Sequence, residues 1–330
     1  MEHPFKVGVV GAGITGLACA QTLRNNGVDV TLLEKSRGIG GRVATRRIDS
    51  GASFDHGAQY FTVTDATFEK QVKRWCDLGA AAVWHARIVS LQDGEVADPK
   101  QPKDRFIGVP AMSSLAQSLA LNLDVRHNVT VQSIRRSNGK WQLRDATGTR
   151  HGRYDFVIST APPLQTLTLL GDMSATIAGR VSEARMAPCW AVLCQIGETM
   201  SVPYDAAFVH NSALSWVARN SSKPGRDASN CWVMHASPAW SQDHLEESAD
   251  IIARTLIDEF WKVTLQSPLT LNFVVAHRWR YALPIEPLPE RFVIDLEANL
   301  AACGDWCGGP RIEGAFLSGH AMANAILARI

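Results

Sequence analysis

The sequence has no block of like charge, and its charges almost cancel. Its 330 residues carry 33 Lys and Arg against 32 Asp and Glu, a formal net charge of +1 at pH 7. A protein whose main partner is nucleic acid needs a basic face that neutralises phosphates. The charge pattern therefore argues against nucleic acid as a partner.

The cysteines follow no metal or redox spacing. The chain has seven of them, an odd number, and no two form a CxxC pair. Zinc sites and thioredoxin-like centres use such pairs. We therefore expect reduced, packed thiols and no metal site. The cysteines are Cys19, Cys76, Cys189, Cys194, Cys231, Cys303 and Cys307.

Long apolar runs are also missing. Residues 7–23 are the stretch most easily mistaken for a signal peptide or a membrane span, but they contain several glycines together with Thr and Gln. Arg24 follows directly. We expect a soluble cytoplasmic protein with no membrane partner, and the sequence leaves the oligomeric state open.

A glycine motif follows the first apolar strand. The strand over residues 7–10 leads directly into the sequence GAGITG. Gly11 allows a tight turn, Gly13 lets backbone amides approach a pyrophosphate, and Gly16 lets the next helix pack close on the sheet. The N-terminus of that helix, predicted over 14–26, supplies amide donors and partial positive charge for a diphosphate.

An acidic residue completes the unit. Glu34 ends the second predicted strand (28–33), where its carboxylate can accept both hydroxyls of an adenosine ribose. Strand, helix, second strand and acid at this spacing predict a dinucleotide site, but they do not separate NAD from FAD. The predicted cofactor contacts here are Gly11, Gly13, Ile14, Thr15, Gly16, Glu34 and Lys35.

A second glycine cluster indicates which dinucleotide is bound. The sequence GIGGR ends at Arg42, and GxGGR after the acidic residue resembles the FAD-binding signature of the flavin-containing amine oxidase superfamily. The resemblance implies that Gly41 and Arg42 lie along the diphosphate, where a guanidinium fork suits phosphate oxygens.

The C-terminal end resembles the flavin motif of the same superfamily. The sequence CGDWCGGPRIEGA begins at Cys303 and precedes a helix predicted over 316–327. The resemblance implies that Asp305 hydrogen-bonds a ribityl hydroxyl and that the helix N-terminus points at the N1/O2 side of the flavin. We therefore predict non-covalent FAD, with further contacts at Arg311, Ile312, Glu313 and Ala315.

Length and motif positions predict an interleaved α/β fold. A chain of 330 residues buries roughly three quarters of its unfolded surface and forms one or two domains. We expect a Rossmann-type FAD-binding domain with an interleaved α+β substrate domain, similar to the architecture of amine oxidases and p-hydroxybenzoate hydroxylase. The predicted FAD-binding segments are 1–55, 105–163 and 291–330, and the predicted substrate-domain segments are 56–104 and 164–290.

Several elements between the motifs are predicted from apolar periodicity. One long amphipathic helix is expected over 243–261, and strands over 129–134, 141–145 and 154–160 are expected to return to the cofactor domain. The first of these strands looks like the one that contacts adenine in the superfamily, which implies a contact at Val131.

A likeness that includes the substrate domain is more specific. The segments HGAQYFT from His56, WVARNSSKP from Trp216 and HRWRYA from His277 resemble bacterial renalase-like proteins. So do HAS with Trp240 and the stretch 303–319. The resemblance implies that Gly57, Ala58, Gln59 and Tyr60 contact the cofactor.

The renalase-like resemblance implies an activity. Such flavoproteins oxidise the 2- or 6-dihydro isomers of NAD(P) to NAD(P)+, and dioxygen takes the electrons and leaves as hydrogen peroxide. A dihydropyridine is already a hydride donor, so it needs no general base, only a position with its reactive carbon about 3–3.5 Å from flavin N5. The implied partners are a dihydronicotinamide dinucleotide and dioxygen.

The sequence departs from amine oxidases in two places. Arg311 stands where those enzymes place an aromatic side chain before the EGA helix, and it is a poor wall for a cationic amine. Many of them also have a lysine near flavin N5, whereas Lys223 lies in a polar loop and Lys262 at a helix end. Both departures disfavour a simple amine substrate. The loop over 219–226 is either a phosphate-facing lid or an ordinary surface loop.

Individual site residues have alternative interpretations. Tyr60 could line the flavin face or be a core tyrosine, and His277 could assist oxygen activation through a positive charge or be structural. Arg311 is placed beside the flavin by its motif, and a salt bridge is the alternative. Arg278 and Arg280 alternate with Trp279, so on a strand they face one side together, where they could neutralise substrate phosphates or form a solvated face. The predicted catalytic residues are Tyr60, His277 and Arg311, and the predicted substrate-binding residues are Arg219, His235, Trp240, Arg278 and Arg280.

Three functions remain open at this point. The first is the renalase-like oxidase of dihydronicotinamides. The second is an amine oxidase, or a related carbon–nitrogen or carbon–carbon oxidase, of the same superfamily. The third is a flavin-binding module that senses redox state without turnover.

Overall fold

The computed structural model describes residues 4–98, 104–227 and 229–330. Residues 1–3 and 99–103, which belong to the predicted segments 1–55 and 56–104, lie outside the described residues, as does residue 228 of the segment 164–290. The helices are α1 (Ile14–Asn25), α2 (Ala66–Asp77), α3 (Ser113–Leu119), α4 (Pro163–Leu170), α5 (Ala175–Val181), α6 (Pro238–Asp243), α7 (Ala249–Val263) and α8 (Arg311–Leu327).

Twenty strands accompany these helices in the described part of the chain. The first ten are β1 (Lys6–Val10), β2 (Asp29–Leu33), β3 (Thr45–Arg47), β4 (Ser53–Asp55), β5 (Ala81–Val83), β6 (Ile88–Gln92), β7 (Glu95–Ala97), β8 (Phe106–Gly108), β9 (Asp124–Arg126) and β10 (Val131–Ser137). The others are β11 (Lys140–Asp145), β12 (Arg150–Tyr154), β13 (Phe156–Ser159), β14 (Arg185–Ile196), β15 (Ala206–His210), β16 (Leu214–Arg219), β17 (Cys231–Ala236), β18 (Leu271–Glu286), β19 (Phe292–Asp295) and β20 (Leu300–Cys303).

A six-stranded sheet carries both glycine motifs. Its order is β19-β20-β13-β1-β2-β9, and β1 is parallel to both β2 and β13. Val7 and Val9 of β1 and the apolar residues of β2 are almost fully buried, as expected for parallel strands covered on both faces. Helices α1 and α8 pack together, and a Cβ added to Gly319 would lie 2.1 Å from the carbonyl oxygen of Thr15. This close crossing brings the N-terminal and C-terminal motifs to the same sheet.

The second large sheet has seven strands and is mostly antiparallel. Its order is β18-β14-β17-β16-β15-β6-β7, with one parallel pair, β15 and β6. Helix α7 covers one face, where Ile252, Leu256 and Phe260 share a core with Trp232 and Met234 of β17. The opposite face packs on β4 through a separate core cluster that includes Phe54, Leu193 and Val233.

Strand alternation assigns the side chains of β17 to these two faces. Trp232 and Met234 project toward α7, while Cys231, Val233 and His235 alternate with them on the face toward β4. The face toward β4 therefore meets the two-stranded sheet of β3 and β4.

The observed elements correct three predictions. The helix expected over 243–261 begins only at Ala249 as α7, because Ser248 caps α7 by accepting a hydrogen bond from the backbone N–H of Ile251, and residue 243 is the end of the separate helix α6. Helix α8 begins at Arg311 rather than near residue 316. The strand expected over 154–160 is shorter, because β12 ends at Tyr154 and β13 covers only Phe156–Ser159. Strand β13 joins the six-stranded sheet, and β10, β11 and β12 form a three-stranded sheet.

Two further sheets have two strands each: β3 pairs with β4, and β5 pairs with β8. Within the ranges 4–98, 104–227 and 229–330, no helix is both long enough and apolar enough to span a bilayer.

Candidate functional site

The loop between β1 and α1 has the backbone expected of a diphosphate-binding turn. Gly11 adopts φ +105°, a left-handed conformation that favours glycine, and a Cβ on Gly16 would lie 2.1 Å from the carbonyl oxygen of Gly11. A Cβ on Gly13 would meet no atom within 4 Å, and no side chain caps the first turn of α1. The open space and the uncapped amides together form a cradle for an anion.

Glu34 lies at the end of β2 with its carboxylate held by backbone amides. The two oxygens accept hydrogen bonds of 2.8 Å from the N–H groups of Ala12 and Ser36. The side chain is buried, and each carboxylate oxygen keeps a further lone pair. The backbone of residues 128 and 129 bonds to the same segment, which brings Val131, at the start of β10, to this end of the sheet.

The second glycine cluster packs on the first. The backbone N–H of Gly40 donates to the carbonyl of Ala12 over 2.8 Å. The guanidinium of Arg42 then forms two hydrogen bonds of 2.7 Å with the carboxylate of Asp305 and one of 2.9 Å with the carbonyl of Ala282. The N-terminal and C-terminal motifs are therefore joined by a bidentate ion pair.

The N-terminus of α8 has an unusual backbone. Arg311 adopts φ +77°, which is rare for a residue other than glycine, and no side chain caps this helix. Arg311 is exposed and has no ion pair with a described residue, so the alternative interpretation of a salt bridge is not supported. The Glu313 carboxylate accepts hydrogen bonds from Thr64 and Asp65, so it binds the start of α2 rather than offering itself to a cofactor.

A buried group of charges, which we call the ion cluster, includes the first residue of the segment 55–60. It consists of Asp55, Lys223 and Arg226, whose side chains are at most 1% exposed. The Asp55 carboxylate lies 2.5 Å from the Arg226 guanidinium and 3.4 Å from the Lys223 ammonium. Two cations therefore face one carboxylate.

Burial and charge shift the pKa values in the ion cluster. Burial lowers the pKa of Lys223 to about 8, against the opposing attraction of Asp55. Burial alone would raise the pKa of Asp55, but Lys223 and Arg226 outweigh it and hold that pKa below its usual range.

Lys223 corrects a prediction. The polar sequence around it indicated a surface loop, yet its ammonium donates to Gln59 over 3.1 Å and to Asn220 over 3.2 Å. It also lies 5.5 Å from the ring centre of Trp84. The loop that carries Lys223 is held in the interior because Asn220 donates a hydrogen bond to a backbone carbonyl of β4 and Arg226 donates to the carbonyl of Gly108.

A second group, which we call the histidine cluster, surrounds the ring of the next residue in the segment 55–60. It contains His56, His235, His277 and Trp279. The ring of His56 lies 4.8 Å from that of His277 and 5.0 Å from that of Trp279. Its backbone carbonyl accepts a hydrogen bond of 2.9 Å from the Trp279 indole and lies 3.2 Å from Nε2 of His235.

The imidazoles of the histidine cluster are neutral at pH 7. Burial, followed by the neighbouring ring of His277, lowers the pKa of His56 to about 4. Burial also lowers the pKa of His235 to about 4 and lowers that of His277. A permanent positive charge on His277, as predicted for oxygen activation, is not supported. The Nδ1 atom of His56 is buried, and no hydrogen-bond partner for it lies among the described residues.

Tyr60 lies in an aromatic group beside the ion cluster. Its ring centre is 5.5 Å from that of Trp216 and 6.5 Å from that of Trp84. The Arg105 guanidinium lies 5.2 Å from the Tyr60 ring centre. The indole N–H groups of Trp84 and Trp216 are buried and have no hydrogen-bond partner in the part of the chain that the structure describes.

The predicted substrate-binding residues divide into two sets. His235 joins the histidine cluster, whereas Arg278 and Arg280 project from the other side of β18, where both bond to Glu246. This separation follows from the alternation along the strand. The two arginines do face one side together, as predicted, but it is an exposed side.

Arg219 and Trp240 also point away from the histidine cluster. Arg219 donates to backbone carbonyls of residues 202 and 204 and lies over Trp232 on the α7 side of the sheet. Trp240 stacks on His244 with ring centres 4.0 Å apart and packs on the same α7-side core. Neither of these two predicted substrate-binding residues lies in the histidine cluster.

Sequence reasoning did not assign Asp55, His56, Lys223, Arg226 or Trp279 to the site. The HGAQY motif and the neighbours of His277 were a signal for His56 and Trp279. Lys223 lies in the WVARNSSKP segment, but its pairing with Asp55 could not be predicted, because the two residues lie 168 positions apart.

The described residues fit a dinucleotide cofactor. The space above Gly13, the uncapped N-termini of α1 and α8 and the buried carboxylate of Glu34 are the features that a diphosphate and a ribose require. Among the ranges 4–98, 104–227 and 229–330, no three His, Cys, Asp or Glu side chains are grouped to hold a metal ion.

Comparisons with known proteins agree with this geometry. A family model described as an NAD(P)-binding Rossmann-like domain matches residues 9–78. A carotenoid 3,4-desaturase of Haloarcula japonica is 30% identical over 181 residues, which are 52% of this chain and 34% of that protein. A 4,4'-diapophytoene desaturase of Staphylococcus haemolyticus is 43% identical over 74 residues, 22% of this chain and 15% of that protein. The chain thus spans about a third or less of the length of these relatives.

Solved structures are similar along the whole chain. An Exiguobacterium protein assigned as a protoporphyrinogen oxidase superposes with a TM-score of 0.81 at 14% identity and covers 100% of both chains. Wild-type putrescine oxidase bound to putrescine superposes with a TM-score of 0.70 at 14% identity and covers 99% of both chains. The predicted fold class is confirmed, and FAD is supported as the cofactor.

Proposed function

We propose that this protein is an FAD-dependent oxidase of isomeric dihydronicotinamides, with 2-dihydro-NAD(P) as first candidate substrate and 6-dihydro-NAD(P) as second. The observation that carries the proposal is the charge around the segment 55–60. In the ion cluster two buried cations face one carboxylate, and the histidine cluster is neutral. These surroundings favour a neutral ring that carries phosphates over a cationic amine.

The histidine cluster suits a flat heteroaromatic ring. Trp279 is fixed by its hydrogen bond to the backbone of His56, so its ring and those of the histidines form a preorganised wall. Orientation by such a wall is what a hydride transfer needs from the protein.

The reaction needs no base from the protein. A dihydropyridine releases hydride directly to become the aromatic pyridinium of NAD(P)+. Lys223 is engaged by three acceptors, Asp55, Gln59 and Asn220, so it serves to hold the segment 55–60 in place. Bound FAD would supply the hydride acceptor at its N5 atom and pass two electrons to dioxygen, which takes up protons and leaves as hydrogen peroxide.

The amine oxidase alternative has one observation in its favour. The rings of Tyr60, Trp84 and Trp216 form an aromatic group that resembles a cage for a cation. However, the guanidinium of Arg105 already lies over Tyr60, and the ammonium of Lys223 lies over Trp84. A cationic substrate there would meet like charges, so we rank this function second.

Anaerobic rapid mixing tests the proposal. The purified holoenzyme is mixed with 2-dihydro-NAD(P), 6-dihydro-NAD(P), ordinary NADPH and a panel of polyamines while the flavin absorbance is followed. We expect fast bleaching by one dihydro isomer and not by the amines. Bleaching by an amine alone would establish the alternative, and no bleaching by any compound would favour a sensor without turnover.

A further inference from the structure

The side chain of Arg46 projects from the face of β3 that is directed toward β18. It pairs directly with Phe54 of β4, and residues opposite each other in an antiparallel pair project from the same face. Phe54 is fully buried and stacks on Phe273 of β18 with ring centres 5.7 Å apart. Arg47, by contrast, pairs with Ser53 and projects from the opposite face.

The same face carries the histidine cluster. His56 follows Phe54 by two residues, and Phe273 and His277 share one side of β18 because side chains alternate along a strand. Burial is the main reason for the low pKa of both His56 and His277, and the charge of Arg46 lowers both further. Strand geometry and electrostatics therefore place Arg46 beside these two rings.

Arg46 is available to a ligand. It is exposed, and it has no ion pair or hydrogen bond through its side chain to any residue in the described part of the chain. Arg278 and Arg280, which were predicted to neutralise substrate phosphates, are engaged by Glu246. Arg219 is engaged by backbone carbonyls.

We infer that Arg46 binds a phosphate group of the substrate at the rim of the histidine cluster. The inference rests on the proposed function and deepens it. A dinucleotide carries its diphosphate one ribose away from the nicotinamide, so a ring held by the cluster places the negative charge nearer to solvent. A guanidinium with no ion pair to break can give a phosphate two parallel N–H donors.

Substrates with and without phosphates test this role. The holoenzyme variants Arg46→Ala and Arg46→Lys are compared with Arg47→Ala, which removes an equal, exposed charge from the opposite face. In anaerobic flavin reduction we expect Arg46→Ala to raise the apparent Kd of 2-dihydro-NAD about tenfold, the size expected for one charge-assisted contact. The Kd of the 2-dihydro form of nicotinamide riboside, which has no phosphate, and the limiting reduction rate should not change.

Arg47→Ala should behave as the wild type, and Arg46→Lys should recover part of the affinity. Added salt should weaken binding of the dinucleotide to the wild type more than to Arg46→Ala, because an exposed ion pair is screened. An unchanged Kd in Arg46→Ala, or an equal loss for riboside and dinucleotide, would overturn the inference.

A binding measurement separates this inference from the proposed function. The oxidised holoenzyme is titrated with NAD+ in a calorimeter, with no turnover. Weaker binding to Arg46→Ala than to Arg47→Ala supports the phosphate contact even if no dihydro isomer reduces the wild-type flavin. Equal binding to both variants, or no binding of NAD+ to the wild type, would refute the contact.

Discussion

Arg42 and Asp305, 263 residues apart in the chain, form a bidentate ion pair with both hydrogen bonds at 2.7 Å. Asp305 is almost completely buried, while the Arg42 side chain remains 34% exposed. The sequence assigned each residue to the cofactor separately, through two different motifs. The structure shows that they also orient each other.

This pairing predicts that the two residues act on FAD affinity as a unit. Arg42→Ala and Asp305→Ala should each weaken FAD binding by roughly 1–3 kcal/mol, since each leaves a charged partner unsatisfied. In a double-mutant cycle on the FAD Kd, we expect a coupling energy of about 0.5–3 kcal/mol. Strictly additive losses would show that the ion pair is incidental to cofactor binding.

Replacing Gly13 with Val should abolish FAD binding without unfolding the protein. Gly13 has φ −78° and ψ −178°, which any residue adopts, and no atom lies within 4 Å of an added Cβ. The new side chain therefore fills the diphosphate cradle and nothing else. Flavin absorbance after desalting and thermal unfolding of the apoprotein measure the two effects. Gly179→Val, also free of contacts within 4 Å, is the control, and retained yellow colour in Gly13→Val would contradict this placement.

The ion cluster should contribute strongly to stability. Asp55→Asn leaves Lys223 and Arg226 buried without an anion, and breaking a buried pair in this way costs about 3–5 kcal/mol. Asp98→Asn removes one partner of the exposed pair with Arg87, which is worth at most about 1 kcal/mol. Denaturant unfolding of both variants measures the difference. Equal, small losses of unfolding free energy in the two variants would mean that the ion cluster is exposed to water in solution.

The histidine cluster predicts a loss of stability in mild acid. The pKa of His56 and of His235 is about 4 in the folded chain, against an ordinary value of 6.5. Between these two values the unfolded chain binds more protons, so the free energy of unfolding rises with pH from 4 to 6.5 and falls on acidification. Denaturant unfolding across this range should show a smaller slope for a His56→Gln, His235→Gln double variant.

The exposed His85 provides the control for this pH experiment. His85→Gln should keep the wild-type slope of unfolding free energy against pH. An identical slope in the double variant and in His85→Gln would show that the two buried rings are not the groups that take up protons on unfolding.

The parts of the fold that the sequence predicted are those set by local pattern. The βαβ unit was found within one or two residues, because the glycines, the apolar strands and Glu34 act over short distances. The start of α7 was wrong, because Ser248 was not recognised as a cap. The alternation of Arg278 and Arg280 was correct, but the period of a strand does not say which side is buried.

By itself, the amino-acid sequence determined the dinucleotide site and its two glycine motifs, since backbone conformation and close approach there depend on residue type. Tertiary structure alone decided that Lys223 and Arg226 are buried against Asp55, that His56 meets His277, and that Arg46 rather than Arg280 faces them. These relations join segments that are far apart in the chain. Burial of the polar residues in these segments shifts their pKa values, and opposite charges lie there in pairs. The chemistry of a motif can be read locally, but the charge that surrounds a substrate is a property of the assembled fold.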